Sequence, residues 1–263
     1  MALAAKAHHD DEGLPAIYNP GGTHGIVLIC EHASAFVPDV LRGLGLSQKA
    51  RESHAAWDRG AFETARRLAD LLNAKLVHAT VSRLVYDCNR PPDAPDAIPE
   101  RSEVYDIPGN ADLSVAETEF RVANYYRPFE TLVEQTLAHH NRTPIVVTVH
   151  SFTPVYHGQH RPVEIGILHD EDARLADALL DIAEGHDIRR NEPYGPGDGV
   201  THTLQRHALP NGLLNVMIEI RNDLIATDDA CAAIADTLAA WLQTASDALV
   251  GDEDEAQTRE QRA

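Results

Sequence analysis

Five apolar residues in a row, Ile26-Val-Leu-Ile-Cys30, stop abruptly at Glu31-His32. A strand that does not alternate has no wet face, so it must be covered on both sides. Two later stretches repeat the pattern. Pro144-Ile-Val-Val-Thr-Val-His150 is an apolar run closing on a histidine, and Leu214-Asn-Val-Met-Ile-Glu219-Ile-Arg221 closes on a carboxylate and a guanidinium. In open α/β sheets the crevice for ligands lies at the carboxyl ends of the strands. Three buried strands that each deliver polar chemistry to that end predict one shared site.

Between these strands run helical patterns and no linker, so a single α/β domain is expected, with a mostly parallel central sheet and helices on both faces. A first helix is predicted from Arg59, with Phe62, Ala65, Leu68, Ala69 and Leu72 on one face and Asn73-Ala-Lys at its end. Leu76 to Ser82 alternates like a strand. A proline-dense loop follows it, from Pro91 to Asn110, of a length typical of active-site lids. Ser114 to His140 reads as a long helix opened by a Ser114/Glu117 capping box, with Phe120, Ala123, Tyr126, Phe129, Leu132 and Leu137 facing inward. Strand Val163–His169, helix Asp172–Ala183, a short helix over Val200–Ala208 and a final helix Asp228–Leu249 complete the pattern. Residues 1–23 read as a flexible arm, 24–249 as the catalytic unit and 250–263 as a disordered acidic tail.

The formal charge is −19, from 41 acidic and 22 basic residues, which argues against nucleic acid or an anionic membrane as partner. The three cysteines have no metal-binding spacing, and there is no signal peptide or apolar run long enough to span a bilayer. A cytoplasmic protein is expected.

The strand ends hold the candidate chemistry. Catalytic zinc takes three protein ligands from histidine and carboxylate and leaves one position open. His32, Asp58 and His150 supply such a set, although Asp58, just before a helix, is equally suited to an N-cap. Glu219 and Arg221, two apart on a strand, share a face. They read either as an internal ion pair or as an acid/base with an anion-binding guanidinium. Arg83, Asn89 and Arg90 form a second polar cluster, suited to an anion or to pairing with Asp87 and Asp93.

The ordered set Glu31-His32-Ala-Ser34, Trp57-Asp58, Ser82-Arg83-Leu-Val-Tyr-Asp87-Cys-Asn89-Arg90, His150-Ser151-Phe152 and Glu219-Ile-Arg221-Asn222-Asp223 resembles the N-formylglutamate amidohydrolase family. The resemblance runs from about Gly25 to Leu242, and Asp198 to His207 also fits its pattern. It implies a fold similar to zinc carboxypeptidases, with one zinc held by His32, Asp58 and His150. It also implies Glu219 as general acid/base, with Arg90 and Arg221, joined by Arg83 and Asn89, binding a small anionic N-acyl amino acid. Where better-known members carry Pro-His-Ser-Gly, this chain has Glu31-His32-Ala33-Ser34.

The expected activity is therefore metal-dependent hydrolysis of the linear amide of an N-acyl amino acid such as N-formyl-L-glutamate. Hydrolysis of another amide, in a peptide or cell-wall fragment, and non-catalytic binding of an anionic amino-acid derivative are the alternatives. A serine hydrolase built on Ser34 or Ser151 lacks the Gly-x-Ser-x-Gly elbow.

Overall fold

A computed structural model describes residues 13–260. Its central sheet has seven strands: β1 (Ala16–Tyr18), β2 (Ile26–Cys30), β3 (Lys75–His78), β4 (Ile145–Phe152), β5 (Ile165–Leu168), β6 (Ile188–Arg190) and β7 (Asn215–Arg221). Across the sheet they lie in the order β1-β3-β2-β4-β7-β5-β6. The middle of the sheet, β3-β2-β4-β7, is parallel throughout. β5 runs antiparallel to β7 with β6 parallel to it, and β1 is antiparallel to β3 at the other edge.

The unbroken apolar runs have the cause predicted for them. Ile26, Leu28 and Cys30 of β2 pack into one core with Leu68 and Leu242, while Val27 and Ile29 pack into a second core with Tyr86 and Phe129 on the opposite face. Helices α1 (Ala61–Leu72), α4 (Arg174–Ile182) and α5 (Asp228–Glu260) supply the first core, and α3 (Arg127–Ala138) the second. Burial of about 25 cal/mol per Å² of apolar surface on both faces is what makes such a strand worth forming.

α1 follows its sequence pattern closely. Ala61, Ala65, Leu68, Ala69 and Leu72 are buried on one face, and Asn73 ends the helix in the left-handed region at φ 51°. At the other end Gly60 takes φ 80°, and a Cβ there would lie 2.4 Å from the carbonyl oxygen of Ile225. The turn that leads from Asp58 into α1 therefore requires glycine.

Three expectations need correction. Part of the expected arm is structured: Ala16–Tyr18 pairs with β3, and Tyr18 Oη donates to Asp70 at 2.7 Å. Three residues are too few to show periodicity, so the edge strand left no signal; residues 1–12 lie outside the described residues. At the other end, α5 continues to Glu260, because Glu, Ala, Gln and Arg beyond the acidic run are good helix formers; residues 261–263 lie outside the described ones.

The third correction concerns the long helix after the proline-rich loop. It begins with the expected capping box at Ser114 and Glu117, as α2 (Val115–Arg121), but a π-helical turn over Val122–Tyr126 separates it from α3. The turn rotates the face, so Phe120 is 41% exposed and Arg121 is buried instead. Arg121 donates to the carbonyls of Val85 and Gly109 and to Asn110 Oδ1, and Asn110 in turn donates to Leu84 O and Pro99 O. These bonds anchor the proline-rich loop.

Candidate metal centre

Each of the three nominated ligands is placed by a different rigid element. His32 stands two residues past the end of β2. His150 lies within β4, two residues before its end, paired in register with Glu219 of the parallel strand β7. Asp58 sits three residues before α1, and its backbone N–H donates to the carbonyl of His32 at 3.0 Å. Its side chain caps nothing. Asp58 Oδ2 instead accepts the backbone N–H of Ser151 at 3.2 Å, and it lies 3.3 Å from His32 Nδ1 and 3.0 Å from His150 Nδ1. All three residues are buried, and their donor atoms lie within 4.8 Å of one another.

The outer ring nitrogens decide what this cluster can hold. His32 Nε2 meets Asp87 Oδ1 at 2.7 Å. His150 Nε2 lies 3.1 Å from Glu31 Oε2, without the alignment of a hydrogen bond. A carboxylate beside Nε2 assigns the proton of a neutral imidazole to that nitrogen and turns the Nδ1 lone pair inward. With both rings neutral, two such lone pairs and a carboxylate oxygen converge with no hydrogen between them. That arrangement calls for a cation, and carboxylate partners on metal-ligating histidines are a recurring outer-shell device. The residues present therefore fit a divalent metal ion.

Charge points the same way. Glu31, Asp58 and Asp87 are buried, against the guanidinium of Arg83, which donates to Asp58 Oδ1 at 3.4 Å and to Asp87 Oδ2 at 2.9 Å. Burial alone would raise the carboxylate pKa values, but His32 and Arg83 hold Asp58 and Asp87 well below the ordinary range. Burial likewise opposes protonation of His150, yet Glu31 and Asp58 push its pKa well above the usual value. The cluster attracts positive charge.

Glu219 behaves in the opposite way. Burial, reinforced by the charge of Asp58 and opposed by that of His150, pushes its pKa up to about 7. Its Oε2 is buried and has no hydrogen-bond partner among the described residues. A carboxyl group poised near neutrality beside a cation site is suited to carry protons in both directions.

The four nominated substrate-binding residues separate. Arg83 reaches the centre because Ser82 Oγ and Arg83 N both donate to Ala56 O, at 2.7 and 3.2 Å. Asn89 is turned to the segment around Val200, donating to Val200 O at 2.5 Å and accepting from Thr203 N at 3.0 Å. Arg90 pairs with Asp96 at 2.7 Å and donates to Asn89 O and Gly199 O. Arg221 donates to Asp223 at 2.8 Å, to Pro162 O at 2.9 Å and to Glu164 at 3.3 Å.

The sequence also held two carboxylates whose place was not read from it. Asp87 looked like a partner for surface arginines, and Glu31 like the end of a strand. Each lies against the outer nitrogen of a candidate ligand. The signal for Asp87 was its position ahead of Asn89-Arg90 at a strand end; for Glu31 it was the abrupt stop of the apolar run, which marked the strand end but not the contact with His150.

Residues 24–226 match a family model for N-formylglutamate amidohydrolase. Among solved structures, the gene product Atu2144 from Agrobacterium tumefaciens is similar at 53% identity and a TM-score of 0.89, covering 91% of this chain and 97% of that one. The N-formylglutamate amidohydrolase from Ralstonia eutropha JMP134 is similar at 18% identity and a TM-score of 0.58, covering 91% of this chain and 99% of that one, a likeness of fold. No curated protein matches the sequence.

Proposed function

The chain belongs to the N-formylglutamate amidohydrolase family, and on that premise we propose that it cleaves the linear amide of a small anionic N-acyl amino acid, with N-formyl-L-glutamate as the reference substrate. The observation that carries this reading is the convergence of His32 Nδ1, His150 Nδ1 and Asp58 Oδ2, with Glu219 in register beside them. Two imidazoles and one carboxylate are a donor set suited to zinc, and His32, Asp58 and His150 would hold it. When bound, zinc supplies Lewis acidity, polarising the amide carbonyl and acidifying water.

The chain's own residues then do the rest. Glu219 takes a proton from the attacking water and returns it to the leaving amine, a shuttle that a pKa of about 7 favours in both directions. Asp87 fixes the tautomer and ring plane of His32, and Glu31 faces the outer nitrogen of His150. Arg83, 29% exposed and held by Asp58 and Asp87, keeps its guanidinium at the site within reach of the substrate. Asn89, Arg90 and Arg221 enter as residues that shape the walls around an anionic substrate. The catalytic unit is assigned to residues 24–249 and its place of work to the cytoplasm; among the described residues no helix is long and apolar enough to cross a membrane.

The test is metal analysis beside an assay for formate and glutamate released from N-formyl-L-glutamate. About one zinc per chain with stoichiometric product release is expected. Release from short peptides but not from N-acyl amino acids would transfer the same centre to another amide.

A further inference from the structure

An enzyme that selects an acidic substrate needs a guanidinium or ammonium whose charge is not already matched within the protein. Around the candidate centre, matched arginines predominate. Arg83 is shared by Asp58 and Asp87, Arg90 is paired with Asp96, and Arg221 with Asp223 and Glu164. Arg161 is different. It makes no ion pair with a carboxylate among the described residues, and its surroundings are aromatic.

Its guanidinium carbon lies 4.3 Å from the ring centroid of Tyr156, 4.8 Å from that of Tyr194 and 5.7 Å from that of Phe152. Nη1 donates to Tyr194 Oη at 2.8 Å. The backbone is fixed as well: Arg161 N donates to Pro154 O at 2.8 Å, which closes the hairpin formed by Val155–Tyr156 and Gln159–His160. Ring faces bind the flat side of a guanidinium and leave in-plane N–H groups available, so the cage orients the fork without discharging it. Both Arg161 and Tyr194 are partly exposed.

The cage also stands beside the centre. Phe152, one of its walls, is two residues beyond His150 on β4. Tyr194 is near enough to Glu219 and Arg83 for both charges to act on its phenol. We propose that Arg161, held in plane by Phe152, Tyr156 and Tyr194, receives a carboxylate of the substrate's amino-acid half and so selects N-acyl amino acids that carry it. The inference rests on the amidohydrolase reading for the identity of the ligand, but not for its test.

That test is calorimetric titration of the zinc-loaded protein with L-glutamate and with its diamide, which has neither carboxylate. Wild type, Arg161→Lys, Arg161→Gln and Tyr194→Phe are compared, each checked for zinc content and melting temperature. Loss of a bidentate charged contact predicts weakening of L-glutamate binding by roughly 10–100-fold in Arg161→Gln. Arg161→Lys should be intermediate, because it keeps the charge and loses the fork, and the diamide should bind all four proteins alike. Undiminished L-glutamate binding by Arg161→Gln, equal losses for L-glutamate and diamide, or no binding to wild type would each overturn the inference. Arg161-dependent binding in a protein that hydrolyses no N-acyl amino acid would uphold it and remove the amidohydrolase reading alone.

Discussion

The Nδ1 atoms of His32 and His150 face one another across 3.2 Å, with Asp58 Oδ2 within 3.3 Å of both. A ligand that occupies this convergence and has no counterpart in the unfolded chain stabilises the fold by mass action, by about 2.7 kcal/mol at a hundredfold excess over Kd. For a chain of this length that is a rise of roughly 5–10 °C in melting temperature on adding zinc to chelator-treated protein. His32→Ala should abolish the rise. Calorimetric melting with and without chelator measures it.

Glu219→Gln keeps the shape of the side chain and removes its proton chemistry. Turnover of N-formyl-L-glutamate should fall by roughly 10²–10⁴-fold while bound zinc stays near wild type. Loss of zinc together with activity would instead make Glu219 a ligand.

Asp87→Asn removes the charge that faces His32 Nε2 at 2.7 Å and leaves Arg83 with one carboxylate fewer. Outer-shell substitutions of this kind typically cost about 10–100-fold in metal affinity. Competition with a fluorescent zinc chelator would register the change; an unaltered affinity would show that Asp87 serves Arg83 alone.

Gly60→Ala should damage stability and metal binding together. A Cβ would stand 2.4 Å from Ile225 O in a turn at φ 80°, two residues after Asp58. Relief requires the turn to move, at a cost of about 1–3 kcal/mol, and Asp58 moves with it. Urea denaturation and zinc titration on one preparation test both halves.

His207 gives a pH dependence outside the metal centre. Burial pushes its pKa down to about 4, with Arg206 and His202 acting in the same direction and Glu130 against them. Between that value and the ordinary histidine value near 6.5 the unfolded chain binds more protons, so stability falls as pH drops through this window. The loss from pH 7 to 5 is about 2 kcal/mol for this residue. His207→Phe, which stays buried and does not titrate, should flatten the acid limb of urea midpoints measured across that range.

Much of this architecture was written in local pattern. The runs at Ile26 and Ile145 announced doubly covered strands because every position faces a core, and α1 was legible from the spacing of Ala65, Leu68 and Leu72. The π-helical turn at Val122–Tyr126 was not, since it exchanges one face for another without breaking helical composition. At the centre, His32, Asp58 and His150 were found by their positions at element ends. The contact of Arg161 with Tyr194 and that of Glu31 with His150 were not, because the partners are 33 and 119 positions away in the chain. Spacing arguments reach across a turn, not across a sheet.

The bond from Ser151 N to Asp58 Oδ2, together with that from Asp58 N to His32 O, braces the three donors against one another through the backbone. This sets an order of assembly. Zinc-finger domains gain their shape from the ion and are unfolded without it. Here the donors ride on buried strands and are lashed together by peptide groups, so the polypeptide can finish folding first and be loaded afterwards. Metal supply would then govern how much of the protein is active, the ion adding its share of stability to a fold already formed.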